Sequence, residues 1–370
     1  MSKVAVVFGG PSPEHDVSVL TGLQAVREVA KRHDATALYW SKTNEWFRVS
    51  PSLEASDFAN GVPGKAEKLE FVVNSDGGFR TGGGGPFAKP KTYRPDVVLI
   101  ACHGGPGETG QLQGALDLAG IAYTGPGCTS AALGMDKYAF GAAMASAGLP
   151  ALPRVLLDDH VNFVDFEAPY IVKPRFGGSS IGIEIVDSID TAKALAKSSP
   201  HLRLGAVIEP YRADAVDLNV AVRMFPSLDM SAIEKPLRTS STSNTILGYA
   251  DKYVGGEGMV SAPRELPANL DELTSQTVHT LAGAVANLFG VRGVQRIDFL
   301  LSGNEVFVNE INTIPGSLSK HLFAESGIDF AELLDSMIQE AFKVPTYVMS
   351  SAGADGTALR SAGTIAGKLA

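Results

Sequence analysis

Two acidic side chains and one amide lie on neighbouring apolar segments in the last quarter of the chain. Asp298 ends the segment Gln-Arg-Ile-Asp, and Glu310 and Asn312 follow two positions apart. Side chains two apart on a strand point to the same face, so Asp298 can meet this pair from the next strand. Three hard oxygen ligands suit magnesium that is shared with substrate phosphates. Ordinary surface chemistry at a polar hairpin tip is the alternative, because Asp and Asn are common there.

Arg296 and Gly316 flank these three residues. A fixed cation and a backbone amide beside a metal are the groups that a developing oxyanion needs. Their presence favours the metal-site interpretation over a surface hairpin.

A second segment has the composition of a phosphate-binding loop. Lys173 ends a short predicted strand, and Arg-Phe-Gly-Gly-Ser-Ser-Ile-Gly follows at 175–182. Glycines let the backbone approach a phosphate, serines donate hydrogen bonds and the lysine supplies charge. The spacing differs from the Walker loop, which needs Gly-Lys followed by Ser or Thr. A plain hairpin turn is the alternative, since glycine and serine dominate turns.

The elements that must position these residues alternate between strands and helices. Apolar runs at 4–8 and 96–102 each lead into a glycine-rich loop and then into helical spacing. This pattern predicts two strand–loop–helix units of an open parallel sheet. Ligands bind such sheets beyond the carboxyl ends of the strands, where both loops would lie. Residues 50–94 look irregular and are interpreted as an elaboration of the first unit.

Further strands are predicted at 206–212 and 217–222 from their apolar or alternating patterns. The first of them contains Glu209, Tyr211 and Arg212. A linker between two lobes is a natural adenine slot, because extended backbone pairs with the purine edge while apolar walls stack on the ring.

Helices are predicted at 131–147 and 271–289. Between them, a glycine-rich stretch carries Lys252 and Tyr253, as a lid over phosphate would. An ordinary surface lysine is the alternative for Lys252. The Ser-, Gly- and Ala-rich chain from 349 onward is expected to be a loosely held tail.

Length and composition exclude several classes of protein. The 370 residues predict two or three packed units, and 45% hydrophobic with 19% charged residues is ordinary for a soluble globular protein. A net charge of -9 argues against nonspecific binding to nucleic acid or anionic membranes. The two cysteines, Cys102 and Cys128, predict a reducing cytoplasm. The amino terminus is interpreted as a strand and not a signal peptide, and no apolar run reaches the roughly 18 residues of a membrane span.

The order and spacing of the motifs resemble the ATP-grasp ligases and, among them, the D-alanine–D-alanine ligase family. The resemblance runs over roughly residues 3–345. The segments that carry it are Gly9-Gly-Pro-Ser-Pro-Glu14-His-Asp-Val-Ser18, His103-Gly-Gly-Pro-Gly-Glu-Thr-Gly110, Tyr123-Thr-Gly-Pro-Gly127, Met135-Asp-Lys137, Lys173 with its Gly-Ser loop, Lys252-Tyr253, Gln295-Arg-Ile-Asp298 and Asn309-Glu-Ile-Asn-Thr-Ile-Pro-Gly316.

The resemblance implies a three-lobed α/β ATP-grasp fold with an N-terminal open parallel-sheet domain. Residues 1–126 are expected to form the substrate-binding domain and 127–208 the central ATP-grasp subdomain. Residues 209–348 would form the C-terminal subdomain with the metal and catalytic site, and 349–370 a flexible tail. Members of the family are usually dimers, so a homodimer is expected.

The resemblance also implies a set of ATP-binding residues. Two lysines grip phosphate, one lysine belongs to the lid, and Glu209 and Asp217 contact adenine and ribose. Asp217 stands where the family often has glutamate, which shortens its reach by one methylene. The full set is Lys137, Lys173, Glu209, Tyr211, Arg212, Asp217 and Lys252.

For the metal, the resemblance assigns magnesium, with manganese as an alternative, to Asp298, Glu310 and Asn312. For catalysis, it makes Glu14 the acid that receives the ammonium of the first amino acid. The other expected catalytic groups are its hydrogen-bonding partners Ser179 and Tyr253, and the oxyanion-holding Arg296 and Gly316 amide.

For the substrates, His103 is expected near the bound amino acids, and Lys320 and His321 flank the acceptor pocket. The sequence departs from the family after Gly316, where Ser-Leu-Ser-Lys-His-Leu replaces the usual Thr-Ser and Ser-Leu pairs. The implied reaction joins two D-alanines with ATP, through an acyl phosphate, for peptidoglycan precursors. The alternative is a related ligase with another acceptor in a specialised peptide pathway.

Three other classes are weighed against a ligase. A carboxylase that activates bicarbonate has no ammonium for Glu14 to receive. A nonenzymatic nucleotide-binding module should have lost a metal ligand or the oxyanion arginine, and all are present. A dinucleotide dehydrogenase would need a spaced three-glycine fingerprint, which Gly9-Gly10-Pro11 lacks.

Overall fold

Three main β-sheets with flanking helices make up the described part of the chain. This computed structural model describes residues 1–82, 89–237, 263–344 and 350–362, and residues 364, 365 and 368. The predicted lid residues Lys252 and Tyr253 therefore lie outside the described residues.

The first sheet has eight strands. Its strands are β1 (Lys3–Gly9), β2 (Asp34–Trp40), β3 (Trp46–Val49), β4 (Glu67–Val72), β5 (Gly78–Thr81), β6 (Thr92–Tyr93), β7 (Val97–Ile100) and β8 (Ala122–Tyr123). The order is β6-β5-β4-β3-β2-β1-β7-β8, and the four strands from β2 to β8 in this order pair in parallel. The helices of this unit are α1 (His15–Val29), α2 (Gly105–Glu108) and α3 (Gln111–Ala119). Both predicted strand–loop–helix units are present, with their loops at the carboxyl ends of β1 and β7.

The irregular structure expected for residues 50–94 is wrong. Three strands, β4 to β6, lie there and extend the sheet as an antiparallel meander. Only one side of β4 is well buried, at Leu69, while its neighbours Lys68 and Glu70 are exposed. Alternation over so few residues gives a weak signal. The segment does elaborate the first unit, as predicted.

The second sheet contains β9 (Val155–Leu157), β10 (Tyr170–Pro174), β11 (Glu184–Val186) and β12 (Ala206–Pro210). It is antiparallel, in the order β11-β10-β12-β9. The helices of this unit are α4 (Cys128–Met135), α5 (Lys137–Ser146) and α6 (Ile189–Ser198). The prediction of a single helix over 131–147 is wrong, because the chain breaks at Asp136, whose extended backbone and side chain cap α5.

The third sheet contains β13 (Val216–Arg223), β14 (Asp229–Met230), β17 (Gln295–Ser302) and β18 (Glu305–Asn312). It is also antiparallel, in the order β14-β13-β17-β18. Two short strands, β15 (Lys235–Pro236) and β16 (Arg264–Glu265), pair with each other. The predicted amphipathic helix is α7 (Glu272–Phe289), which Asp271 caps. Its buried face packs with the sheet in one core.

Three short or terminal helices follow, α8 (Lys320–Ala324), α9 (Phe330–Lys343) and α10 (Thr357–Ser361). The apolar face of α9 joins the core of the first sheet, so the end of the chain returns to its beginning. No residue of α10 is buried. Within the described residues, no helix is both long enough and apolar enough to span a bilayer. The domain boundaries stay a prediction.

Candidate active site between the three sheets

A cavity is lined by residues of the second and third sheets and by residues that follow β1 and β7 of the first sheet. It contains most of the predicted site. The lining includes Glu14, His103, Lys137, Lys173, Ser179, Glu209, Tyr211, Arg212, Asp217, Arg296, Asp298, Glu310, Asn312 and Gly316.

The two carboxylates predicted to bind metal face each other across β17 and β18. The register pairs Asp298 with Glu310 and Arg296 with Asn312, as side-chain alternation requires. Phe299 then pairs with Val308, so Asn309 is the extra residue of a β-bulge. The bulge allows the consecutive residues Asn309 and Glu310 both to line the cavity. Sequence alternation could not reveal Asn309, because a bulge leaves no clear local signal.

The carboxylates are held by cations. Arg296 binds Asp298 through two contacts, Nε to Oδ1 at 2.6 Å and Nη2 to Oδ2 at 2.7 Å. Asn312 Nδ2 donates to Asp298 Oδ2 at 2.9 Å, and Lys137 Nζ lies 3.1 Å from Glu310 Oε2. The described residues contain no cluster of three His, Cys, Asp or Glu able to hold a metal. Magnesium needs few protein ligands when phosphates and water complete its shell, so two carboxylates and an amide fit it.

Lys173 lies on β10, lines the cavity and belongs to a buried network of ion pairs. Its Nζ donates to Glu209 Oε2 at 2.8 Å and to Asn309 Oδ1 at 3.3 Å. Arg154 Nε lies 3.0 Å from Glu209 Oε1. Burial opposes ionisation of Glu209, but Arg154 and Lys173 outweigh it and lower its pKa. The ionised Glu209 thus pairs with Lys173 at the cavity wall.

Arg154 was missed by the sequence reasoning. Besides the ion pair, its Nη1 donates to the carbonyl of Lys137 at 2.9 Å, and its Nη2 donates to the carbonyl of Asn309. It therefore joins the second sheet to the start of α5 and to the bulge. The only signal in the sequence is an arginine directly before the apolar run of β9.

Glu14 and Ser179 contact each other in the cavity wall. Ser179 Oγ donates to Glu14 Oε1. Glu14 is only 9% exposed and lies directly before α1. Gly104 packs against it with φ +62°, and a Cβ at Gly104 would lie 2.6 Å from Glu14 Oε2. Glycine suits this position because residues with a side chain rarely adopt this positive φ, and a Cβ would also displace the Glu14 carboxylate.

Glu14→Gln should raise the KM for the first amino acid by about tenfold or more, with little change in the KM for ATP. A charge-assisted hydrogen bond to an ammonium contributes on the order of 1.5–3 kcal/mol, which the neutral amide cannot match. Initial-rate kinetics would measure both constants. Asp16→Asn is the matched control, because Asp16 is an exposed acid two residues on that pairs with Lys42. An unchanged KM for the amino acid in Glu14→Gln would contradict the assignment.

His103 lies on the loop after β7 and Glu108 ends the short helix α2, and both are buried. Burial lowers the pKa of His103 to about 4. Burial, with a smaller contribution from Glu14, raises the pKa of Glu108 to about 7, although backbone N–H donors oppose the shift. Glu108 was missed as a site residue, although it lies in the quoted motif that begins at His103.

Acidification should destabilise the fold through His103. Between pH 6.5 and about 4 the unfolded chain binds a proton at His103 that the folded chain does not, so stability falls as pH falls. From pH 7 to pH 5 the loss is about 2 kcal/mol, since one pKa unit corresponds to about 1.4 kcal/mol. Urea unfolding of the wild type and His103→Asn at both pH values would measure it. The raised pKa of Glu108 makes its contribution to stability change in the opposite direction, but equally in both proteins, so the difference between them reports on His103. Equal pH dependence in the two proteins would contradict the assignment.

Lys320 and His321 are not among the residues that line the cavity. Lys320 Nζ donates to Gln24 Oε1 at 3.0 Å, on α1. His321 Nε2 lies 3.3 Å from Glu234 Oε1, and Glu234 does line the cavity. Arg264 Nη1 also binds Glu234, at 2.8 Å. His321 thus reaches the cavity wall only through Glu234, which the sequence reasoning missed.

The family models and the relatives that match this chain carry the same family name. The family model described as "D-ala D-ala ligase N-terminus" matches residues 3–126, and "D-ala D-ala ligase C-terminus" matches residues 157–339. A D-alanine–D-alanine ligase of Chlorobaculum tepidum is 30% identical, covering 91% of this chain and 96% of the relative. The enzyme of Corynebacterium glutamicum strain ATCC 13032 is 31% identical, covering 92% and 96%.

Solved structures agree on the fold. The D-alanine–D-alanine ligase of Helicobacter pylori matches with a TM-score of 0.71 at 24% identity, covering 94% of this chain and 100% of that one. The VanG D-Ala:D-Ser ligase of Enterococcus faecalis matches with a TM-score of 0.74 at 24% identity, covering 92% and 99%. From the two matched halves and the full-length relatives, the chain belongs to the D-alanine–D-alanine ligase family, ATP-using ligases with the ATP-grasp fold.

Proposed function

We propose that this protein joins D-alanine to D-alanine at the expense of ATP, giving the dipeptide, ADP and phosphate for peptidoglycan precursors. One observation carries the proposal. A single cavity is lined by Glu14, an acid suited to receive an ammonium, by Lys137 and Lys173, cations suited to bind phosphate, and by Arg296. The names of the relatives supply the amino acid.

The first step phosphorylates the first amino acid. Glu14 holds its ammonium, and Lys137 and Lys173 hold the phosphates of ATP so that the γ-phosphoryl group faces the substrate carboxylate. Magnesium, or manganese in its place, would be held by Asp298, Glu310 and Asn312 and would offset the negative charge of the phosphates. The carboxylate oxygen forms a bond to phosphorus as the bond to ADP breaks. An acyl phosphate results.

The second step forms the peptide bond. The amine of the second amino acid attacks the acyl carbon, and the carbonyl oxygen becomes an oxyanion. Arg296 and the Gly316 amide stabilise this charge. The carbon–oxygen bond to phosphate then breaks, and the amine releases its proton to water. No nucleophile of the protein is consumed, so neither cysteine takes part.

The proposal extends to the protein's surroundings. The reducing compartment expected from the two free cysteines is the cytoplasm, and the family resemblance supports a homodimer. Its substrates are small amino acids and ATP, with no nucleic acid or membrane as partner. Light scattering at micromolar concentration would test the dimer.

Phosphate release from ATP and magnesium, with D- and L-amino acids offered singly and in pairs, tests the reaction. Mass spectrometry would identify the products. Release with D-alanine alone and a D-alanyl-D-alanine product is expected. D-serine belongs in the panel because the structurally similar VanG protein is a D-Ala:D-Ser ligase. Release with another pair only would keep the mechanism and replace the acceptor, whereas release with none would contradict the ligase.

A further inference from the structure

The loop that carries Gly316 is held by buried residues far away in the sequence. Ser317 N donates to Thr21 Oγ1 at 3.1 Å, across 296 positions of sequence. The Ile314 carbonyl lies 2.7 Å from His103 Nδ1. Ile314 N donates to Glu108 Oε1 at 2.8 Å. The first sheet unit thus fixes backbone groups on both sides of Gly316.

Thr21 and His103 form a hydrogen-bond chain whose direction is determined by its ends. The Ile314 carbonyl can only accept, so His103 Nδ1 must carry a proton. In the neutral ring Nε2 is then an acceptor, and Thr21 Oγ1 donates to it at 2.7 Å. The same hydroxyl oxygen accepts from Ser317 N. Each donor and each acceptor of the chain is thus used in its proper role, and Thr21 Oγ1 serves as both.

Glu108 holds the other end of the loop. Its Oε1 accepts from Ile314 N and, at 3.2 Å, from Thr313 Oγ1, while its Oε2 accepts from Gly104 N at 2.7 Å. Glu108 is only 4% exposed, and Thr21 and Thr313 are fully buried. These bonds are therefore shielded from competition with water.

The loop needs such support because its backbone is strained. Ser317, Leu318 and Ser319 have φ values of 47°, 50° and 51°, three consecutive non-glycine residues in the left-handed region. Residues with a side chain adopt this region rarely, and a run of three persists only where its surroundings hold it. Without outside contacts, the turn after Gly316 would relax.

We propose that Thr21 is a positioning residue which, through His103 and together with Glu108, fixes the Gly316 amide where it meets the oxyanion. The inference rests on the proposed function, since it deepens the role of Gly316. It makes His103 a structural link between Thr21 and the loop, and not an acid or base in the reaction. Thr21 itself touches no substrate.

Thr21→Val removes the hydroxyl and keeps the shape. We expect kcat to fall by about tenfold or more with the KM for ATP unchanged, because a displacement of about 1 Å at a reacting centre can cost 10²-fold. Thr21→Ser, which retains the hydroxyl, should restore most of kcat. The matched control is Thr124→Val, which removes another buried hydroxyl, one that accepts from Ile100 N and lies outside the cavity. Equal losses of kcat in Thr21→Val and Thr124→Val would overturn the proposal.

The imidazole tautomer tests the same chain without any turnover. In wild-type protein with ¹⁵N-labelled histidine, His103 should show a protonated Nδ1 and an unprotonated Nε2, and Thr21→Val should perturb the Nε2 shift while Thr124→Val does not. A protonated Nε2 would overturn the inference even in an active enzyme. If the expected tautomer is present but wild type ligates no amino acids, the proposed function fails and the hydrogen-bond chain remains.

Discussion

Arg296→Ala should lower turnover by about 10²-fold or more while the KM for ATP changes little. Removing one donor to an oxyanion commonly costs on the order of 10²–10³ in kcat. Arg296 also binds both oxygens of Asp298, so its loss removes the cation that holds a proposed metal ligand. Arg296→Lys keeps the charge but not the planar guanidinium, so its turnover should lie between those of the wild type and Arg296→Ala. Steady-state kinetics with D-alanine and ATP would measure the effect.

Arg223→Ala is the matched control for this experiment. Arg223 lies on β13, beside β17, and pairs with Asp229 through Nε at 3.0 Å and Nη2 at 2.9 Å. It is absent from the cavity lining. Its removal should leave kcat within about twofold, as expected for a site away from the chemistry. Full turnover in Arg296→Ala, or an equal loss in Arg223→Ala, would remove Arg296 from the mechanism.

Glu310→Gln should raise the magnesium concentration for half-maximal activity by about tenfold or more. Mutating a group that only hydrogen-bonds to a metal's ligand commonly lowers metal affinity about 10–100-fold, and removing a carboxylate ligand should lower it at least as much. The change also removes the charge that faces Lys137 Nζ at 3.1 Å. Lys137 then remains available to phosphate, so ATP binding without magnesium should not weaken. Calorimetric titration of a nonhydrolysable ATP analogue, with and without magnesium, would separate the two effects.

Glu305→Gln provides the comparison on the same strand. Glu305 is the exposed first residue of β18, at the opposite end of the strand from Asn312. Its substitution removes the same charge without touching the cavity, so the magnesium requirement should stay at the wild-type value. Wild-type magnesium dependence in Glu310→Gln would show that Glu310 is not a ligand.

The sequence by itself determined the elements that depend on local pattern. Alternation over β17 and β18 placed Asp298, Glu310 and Asn312 on one face, because side-chain direction on a strand repeats every two residues. The apolar spacing of α7 and its capping residue Asp271 are equally local. Motif order added the family, which the comparisons confirm.

The tertiary structure decided the contacts that join distant segments. The Thr21–Ser317 bond spans 296 positions, and Arg154 meets Asn309 across 155. No periodicity in the sequence encodes such a pair, since each partner satisfies only the ordinary pattern of its own element. The break at Asp136 depends likewise on Arg175, whose guanidinium binds the carboxylate that caps α5. Local chemistry therefore specified many of the residues that line the cavity, whereas Asn309 and Glu234 entered the lining only through the tertiary structure, which also decided what holds the others in place.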